Sequence, residues 1–271
     1  MDSGGWGTHA VELAADHVVK RFSSGGGGRA GREWRALMLL AAYAPGLAPV
    51  PGTADLSAEE PTVVMSRLVG VPLRGSPLAA EQVRALADAV NELHTAVPAD
   101  VLRQVPVRPG QQGDLIVQLK EWAVTVRPRV HGPVGRAMED GLRWLAQSGL
   151  SSDDGSRVLP VFGPGDGNLA NYLWDGSRVR VVDFEDSGRS DRAFELAEIT
   201  EHVGSWVEHP LDVPAFLACF DLTAAEEARL RECRRLLALV WLFLLAFDQE
   251  NVRNPPGTAE RQADRLWQLL A

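Results

Sequence analysis

Lysine is almost missing from this chain. Of its 27 basic residues only Lys20 and Lys120 are lysines, and the remainder are arginines. An Arg-heavy, Ala- and Gly-rich composition reflects the coding bias of a GC-rich genome, so a lysine stands out. A compact ammonium and a planar guanidinium are not interchangeable. Cysteine is also scarce: Cys219 and Cys233 lie far from any zinc-ligand spacing and within helix-like sequence. They read as inert thiols in a reducing cytoplasm. No apolar run reaches the length of a membrane span, and the first residues, MDSGGWGTHAVEL, do not form a signal peptide. Positive charge is in deficit, with a net charge of −9. That balance excludes nucleic acid as a partner, because such binding needs a basic face. The deficit is concentrated after residue 70, where a cationic substrate is favoured, although an acidic surface serving solubility looks the same. Walker A, HExxH and GxSxG strings are absent, as are internal repeats.

Hydrophobic content of 45% and charged content of 23% belong to an ordinary globular protein. At 271 residues the chain forms one large domain or two smaller ones sharing a cleft. The most informative stretch is residues 160–188, PVFGPGDGNLANYLWDGSRVRVVDFEDSG. Two short apolar runs, 171–174 and 179–184, flank Asp175-Gly176, a strong hairpin signal because the tight turn needs residues tolerant of positive φ. Folding back on that turn carries Asp183 towards Asp166 and Asn171. Hairpin packing asks for no such convergence of oxygen-bearing side chains. Phosphoryl transfer does: one carboxylate takes or orients the acceptor's hydroxyl proton, while an amide oxygen and a second carboxylate hold Mg²⁺ on the nucleotide phosphates. A Gly/Asp-rich hairpin without chemistry is the bland alternative.

The string G-D-x-x-x-x-N, followed about a dozen residues on by D-F, resembles the catalytic and metal-binding segments of the aminoglycoside phosphotransferase family, protein-kinase-like enzymes acting on small molecules. The resemblance implies Asp166 as catalytic aspartate, with Asn171 and Asp183 as metal ligands. It also implies a bilobal α+β fold, a small antiparallel sheet with one helix over a mostly helical lobe, with lobes at 1–70 and 71–271. The family usually carries His two residues before the catalytic aspartate; this chain has Pro164. It also usually has a full strand before the glycine-rich turn, where only Met1–Ser3 are available.

Other matches follow in order. Gly5 and Gly7 sit in a glycine-rich turn before two β-like runs, 10–13 and 17–22, and such turns bring backbone N–H groups against phosphates. Lys20 lies on the second run, where the resemblance implies a contact to the α- and β-phosphates. Glu33, in the first turns of a helix expected at about 30–43, is implied to pair with Lys20, although a charge near a helix N-terminus reads the same way. Strands are expected near 47–50 and 62–68. Past the second of them, the backbone of Ser66 and Leu68 is implied to meet the base, with Met65 lining the pocket.

In the second half, helices are expected at about 79–95, 114–126, 134–147, 194–207, 213–219, 224–248 and 258–270. Glu195 is assigned to anchoring a helix on the catalytic loop, Asp191 to supporting that loop, and Glu185 to the metal or its surroundings. Glu198, Glu201, His202, Glu208, Asp248 and Glu250 are candidates for an acidic acceptor wall. The expected function is transfer of the γ-phosphoryl of ATP or GTP, with Mg²⁺, to a hydroxyl of a small molecule. The acceptor is a cationic aminoglycoside-type compound or another small alcohol. The rival is a nucleotide-binding protein without catalysis.

Overall fold

A computed structural model of the chain describes residues 10–24, 28–125, 127–150, 158–247 and 254–271. Gly5, Gly7, Met1–Ser3, Asp248 and Glu250 lie outside them.

Strands β1 (Ala10–Leu13) and β2 (His17–Arg21) form a hairpin about Ala15-Asp16, and helix α1 (Arg29–Tyr43) follows. Strands β3 (Pro51–Asp55) and β4 (Thr62–Ser66) complete an antiparallel sheet of order β1-β2-β4-β3. Ala36, Leu37 and Leu40 lie on the buried face of α1, which packs against β3 and β4. One strand sits later than its apolar residues suggest. Leu47 and Ala48 are buried in a loop, whereas the pairing segment Pro51–Asp55 is a polar, largely exposed edge strand with no alternation to reveal it. Strand β4 likewise stops at Ser66, and residues 67–70 carry no regular structure.

The short strand β5 (Val71–Pro72) leads to α2 (Ala80–Ala96), whose predicted stripe of Val83, Leu86, Val90 and Leu93 is buried. Helices α3 (Ala99–Leu102), α4 (Gln112–Thr125) and α5 (Gly132–Gln147) come next. The centre of the sequence folds into β6 (Pro160–Gly163), β7 (Tyr172–Trp174), β8 (Val179–Val181) and β9 (Gly188–Asp191). The expected hairpin forms: β7 pairs with β8 and, on its other edge, with β5. Asp175 accepts N–H bonds from Ser177 and Arg178 in the turn.

Sequence reading gave no hint of the pairing of β6 with β9, in which Gly163 sits opposite Gly188. It closes residues 164–187 into a loop whose two ends are fixed side by side. Gly163 has no substitute there, because a Cβ would lie 2.2 Å from the Glu195 carboxyl carbon.

Helix α6 (Arg192–Glu201) begins directly after β9, with the Asp191 side chain accepting the Phe194 N–H at its N-terminus. It ends at Glu201 rather than near Val207, because His202 leaves helical geometry at φ −54°, ψ 134°. Helices α7 (Val213–Leu217), α8 (Ala224–Phe247) and α9 (Thr258–Leu270) complete the chain. The apolar second half of α8, including Leu236, Leu239 and Phe243, is buried against α5, α6 and α9. Among the described residues no helix is long and apolar enough to cross a membrane.

Candidate active site

The loop between β6 and β9 turns sharply at Gly165, whose φ of 89° lies in the left-handed region. A Cβ there would stand 2.1 Å from the Asp186 carbonyl oxygen, so the close approach of two loop segments requires glycine. Asp166 follows. Its Oδ1 accepts the Asn168 N–H at 2.9 Å, and its Oδ2 accepts the Asn171 side-chain N–H at 3.0 Å. The Asp166 side chain keeps 39% of its exposure, so a solvent-borne acceptor can reach it. The short helical turn Leu169–Asn171 therefore brings Asn171 into direct contact with Asp166.

Asp183, just past β8, is the single non-glycine with positive φ among the described residues, at 68°. Strain of this kind persists only where its surroundings over-determine it, and it collects at functional sites. Two bonds fix the neighbourhood. Glu33 Oε2 accepts the Phe184 N–H at 2.8 Å, and Lys20 Nζ donates to Asp183 Oδ1 at 2.6 Å.

Lys20 is the centre of the charge cluster. Its ammonium also lies 3.2 Å from Glu33 and 2.7 Å from Glu185. Burial opposes its charge, but Glu33, Asp183 and Glu185 outweigh burial and raise the ammonium above its ordinary value. Burial pushes the Glu33 carboxyl up to about 7, against the pull of Lys20. The first turn of α1 is tied to the same segment, since Arg32 Nε donates to the Glu185 carbonyl at 2.6 Å and Arg32 pairs with Asp186 at 3.2 Å.

Lys20, Glu33, Asn171 and Asp183 all line one cavity of about 360 Å³ between the four-stranded sheet and the β7–β8 hairpin. Its remaining wall is mostly apolar, including Val18, Met65, Leu173 and Val182, which suits the flat face of a nucleobase. Ser66 and Leu68 line it too, on unequal terms. The Ser66 N–H is spent on the Val50 carbonyl and its hydroxyl on the Val50 N–H. Leu68 makes no hydrogen bond among the described residues, so its peptide groups remain available to a base edge.

The donor set also fits a magnesium ion. Asn171 gives its N–H to Asp166 and Asp183 gives one oxygen to Lys20, leaving Asn171 Oδ1 and Asp183 Oδ2 without partners among the described residues. Two oxygen donors on one cavity wall match the hard-ligand preference of Mg²⁺.

Two residues take part here in ways the sequence does not reveal: Arg108 is not singled out there, and His202 is expected in the acceptor wall. Arg108, from the connector after α3, is buried and donates to the Gly165 carbonyl at 2.7 Å, to Glu195 at 2.9 Å and to Glu198 at 3.1 Å. It thus straps the turn before Asp166 onto α6. An arginine in a Pro/Gly-rich connector carries no periodic signal. His202 is the other: its Nε2 lies 3.5 Å from Asp166 Oδ1.

The expected acidic wall does not form from Glu198 and Glu201. Glu198 is paired with Arg108, and its carboxyl is raised by burial to about 7. Glu201, fully buried, pairs with Arg234 and Arg265, and Glu208 lies 3.8 Å from Arg74. Glu198 and Glu201 serve internal ion pairs because an isolated charge in the interior is prohibitively costly, whereas Glu208 is exposed.

Residues 2–233 match the family model described as the phosphotransferase enzyme family, APH. No curated protein matches the chain. Several solved structures share the fold. A choline/ethanolamine kinase family protein from Mesorhizobium loti aligns with a TM-score of 0.67 at 18% identity, covering 98% of this chain and 86% of that one. A thermostable mutant of the aminoglycoside phosphotransferase APH(4)-Ia aligns at 0.64 and 16% identity, covering 97% and 94%. The ADP-bound aminoglycoside phosphotransferase APH(2'')-Ib aligns at 0.61 and 14% identity, covering 99% and 91%. The architecture is accordingly the protein-kinase-like one, a small antiparallel sheet and one helix joined to a helical part.

Proposed function

The chain belongs to the phosphotransferase enzyme family, and from that membership we propose that it moves the γ-phosphoryl group of ATP or GTP onto a hydroxyl of a small molecule. The observation that carries this reading is one constellation: Lys20, Glu33, Asn171 and Asp183 line a single cavity, and Asp166 is hydrogen-bonded to Asn171 at its edge.

Residues 1–70 form the nucleotide-binding lobe in this reading, and residues 71–271 supply the catalytic loop and the acceptor site. The base lies in the apolar slot against the Leu68 backbone. Lys20, aimed by Glu33, neutralises the α- and β-phosphates. Asn171 Oδ1 and Asp183 would hold Mg²⁺, which would supply neutralising charge to the phosphates. Asp166 orients the acceptor hydroxyl and takes its proton as the new oxygen–phosphorus bond forms. The nucleoside diphosphate departs with the electrons of the bond that breaks. A positioned base of this kind contributes roughly 10² to 10⁴ in rate.

The acceptor is a small alcohol. The similar structures include one described as a choline/ethanolamine kinase family protein and others described as aminoglycoside phosphotransferases, so amino alcohols and aminoglycosides head the panel. A reaction using nucleoside triphosphates places the enzyme in the cytoplasm. The test is nucleoside diphosphate release with Mg²⁺ and either nucleotide across that panel, with Asp166→Ala as the blank. Acceptor-dependent release absent from the variant supports the reading. Full-length folded protein that binds neither Mg-ATP nor Mg-GTP sinks it.

A further inference from the structure

We propose that His202 is a positioning residue for Asp166, a neutral imidazole whose Nε2–H faces the carboxylate and holds it in register with Asn171. The inference rests on the reading of Asp166 as the group that orients the acceptor.

The geometry begins where α6 ends. His202 leaves the helix and its ring turns back, so that Nδ1 accepts the Gly204 N–H at 2.9 Å. A nitrogen accepting a hydrogen bond carries its lone pair, so the single proton of the neutral ring resides on Nε2. That nitrogen stands 3.5 Å from Asp166 Oδ1. The separation is long for a hydrogen bond, as contacts in unliganded catalytic sites commonly are before substrate tightens them.

Two further contacts hold the ring in place. Trp241 meets it edge-on, with centroids 4.5 Å apart at 76°. A Cβ on Gly204 would lie 3.1 Å from His202 Nδ1 and 2.8 Å from Asn168 Oδ1, so ring, glycine and loop are packed closely together. Asn168 in turn gives its N–H to Asp166 Oδ1. Burial holds the imidazole down to about 4, against the pull of Asp166, which keeps the ring neutral at physiological pH. A charged ring would trap Asp166 in an ion pair and remove its basicity; a neutral donor orients it without that cost.

Position 164 offers no such donor. Pro164, two residues before Asp166, has no N–H and no polar side-chain atom. Both oxygens of Asp166 are then steered along one edge, Oδ2 by Asn171 and Oδ1 by the Asn168 N–H and His202.

Two variants and one spectrum test this. His202→Leu keeps apolar bulk beside Trp241 and removes Nε2–H. It should lower kcat about tenfold, the scale of one hydrogen bond to a charged group, with Mg-nucleotide affinity within about twofold of wild type. His202→Gln restores an amide N–H at the position of Nε2 and should recover most of the lost kcat. A kcat for His202→Leu close to wild type overturns the proposal, as does equal impairment of the leucine and glutamine variants, which would mark a packing role. Histidine ¹⁵N–¹H correlation spectra of the whole protein give a readout independent of turnover. They should show His202 protonated on Nε2 alone at pH 7, with that resonance moving in Asp166→Asn. Protonation on Nδ1, or on both nitrogens, overturns the proposal even if no acceptor on the panel is turned over.

Discussion

Lys20 Nζ donates to Asp183 Oδ1 across 2.6 Å, joining residues 163 positions apart in the chain. Glu33 completes the link, since the same Oε2 accepts from Lys20 and from the Phe184 N–H. Strand β2, helix α1 and the segment after β8 are thereby fixed to one another around a single buried ammonium.

Replacing that ammonium tests its proposed role on the phosphates. Lys20→Met preserves length and removes charge, and should reduce kcat/KM by about 10² to 10³, the scale for losing one preorganised charge from the reacting group. The protein should remain folded by circular dichroism, because burial already raises the Glu33 carboxyl and lets it protonate in place of an unpaired charge. A loss below tenfold would remove Lys20 from the phosphate site.

Asp183 offers a trade between stability and function. Its φ of 68° costs a non-glycine residue about 1 kcal/mol, which glycine does not incur. Asp183→Gly relieves that strain but removes the bond to Lys20, so the melting temperature should stay within about 4 °C of wild type, while turnover and Mg-dependent nucleotide binding are abolished. Scanning calorimetry and isothermal titration read the two effects separately. A variant that is both less stable and still active would contradict the assignment.

The pH dependence of stability has a clear sign at His94. Burial holds His94 down to about 3, below its ordinary 6.5, and neither ring nitrogen has a hydrogen-bond partner among the described residues. The unfolded chain therefore takes up a proton near pH 6.5 that the folded protein refuses. This contribution to stability is present above 6.5 and is lost as pH falls towards 3. His94→Leu removes it, so the variant should lose about 2 kcal/mol less than wild type between pH 7 and pH 5 in urea unfolding. Glu33 and Glu198, raised by burial, act in the opposite direction between 4.5 and about 7, but equally in both proteins. Identical pH curves would show that His94 is already charged in the fold.

Much of this arrangement is legible in the sequence because it depends on local order. Lys20 precedes Glu33, and Asp166, Asn171 and Asp183 follow on one hairpin whose turn is announced by Asp175-Gly176. Turn chemistry and short spacings survive in one dimension. Helix α2 is legible for a similar reason, since its buried stripe repeats at helical period. What escapes is whatever the third dimension supplies. Arg108 reaches Gly165 from 57 residues away, and His202 reaches Asp166 only because α6 ends at Glu201, well before Val207. The pairing of β6 with β9 sets Val161 and Phe162 against Gly188–Asp191, a glycine and polar segment that carries no strand signal. Acidic side chains mislead in the opposite sense: Glu198 and Glu201 resemble a solvated wall in sequence, yet each is buried or nearly so and paired with arginine.

The central claim is that Asp166 directs a phosphoryl group from nucleotide to a small-molecule hydroxyl. The most direct measurement follows γ-labelled ATP and GTP with Mg²⁺ and the acceptor panel, comparing wild type with Asp166→Asn. The account predicts label on at least one acceptor with wild type and a loss of roughly 10² to 10⁴ in the variant, whose nucleotide affinity stays unchanged. Label transferred equally well by the variant would contradict it.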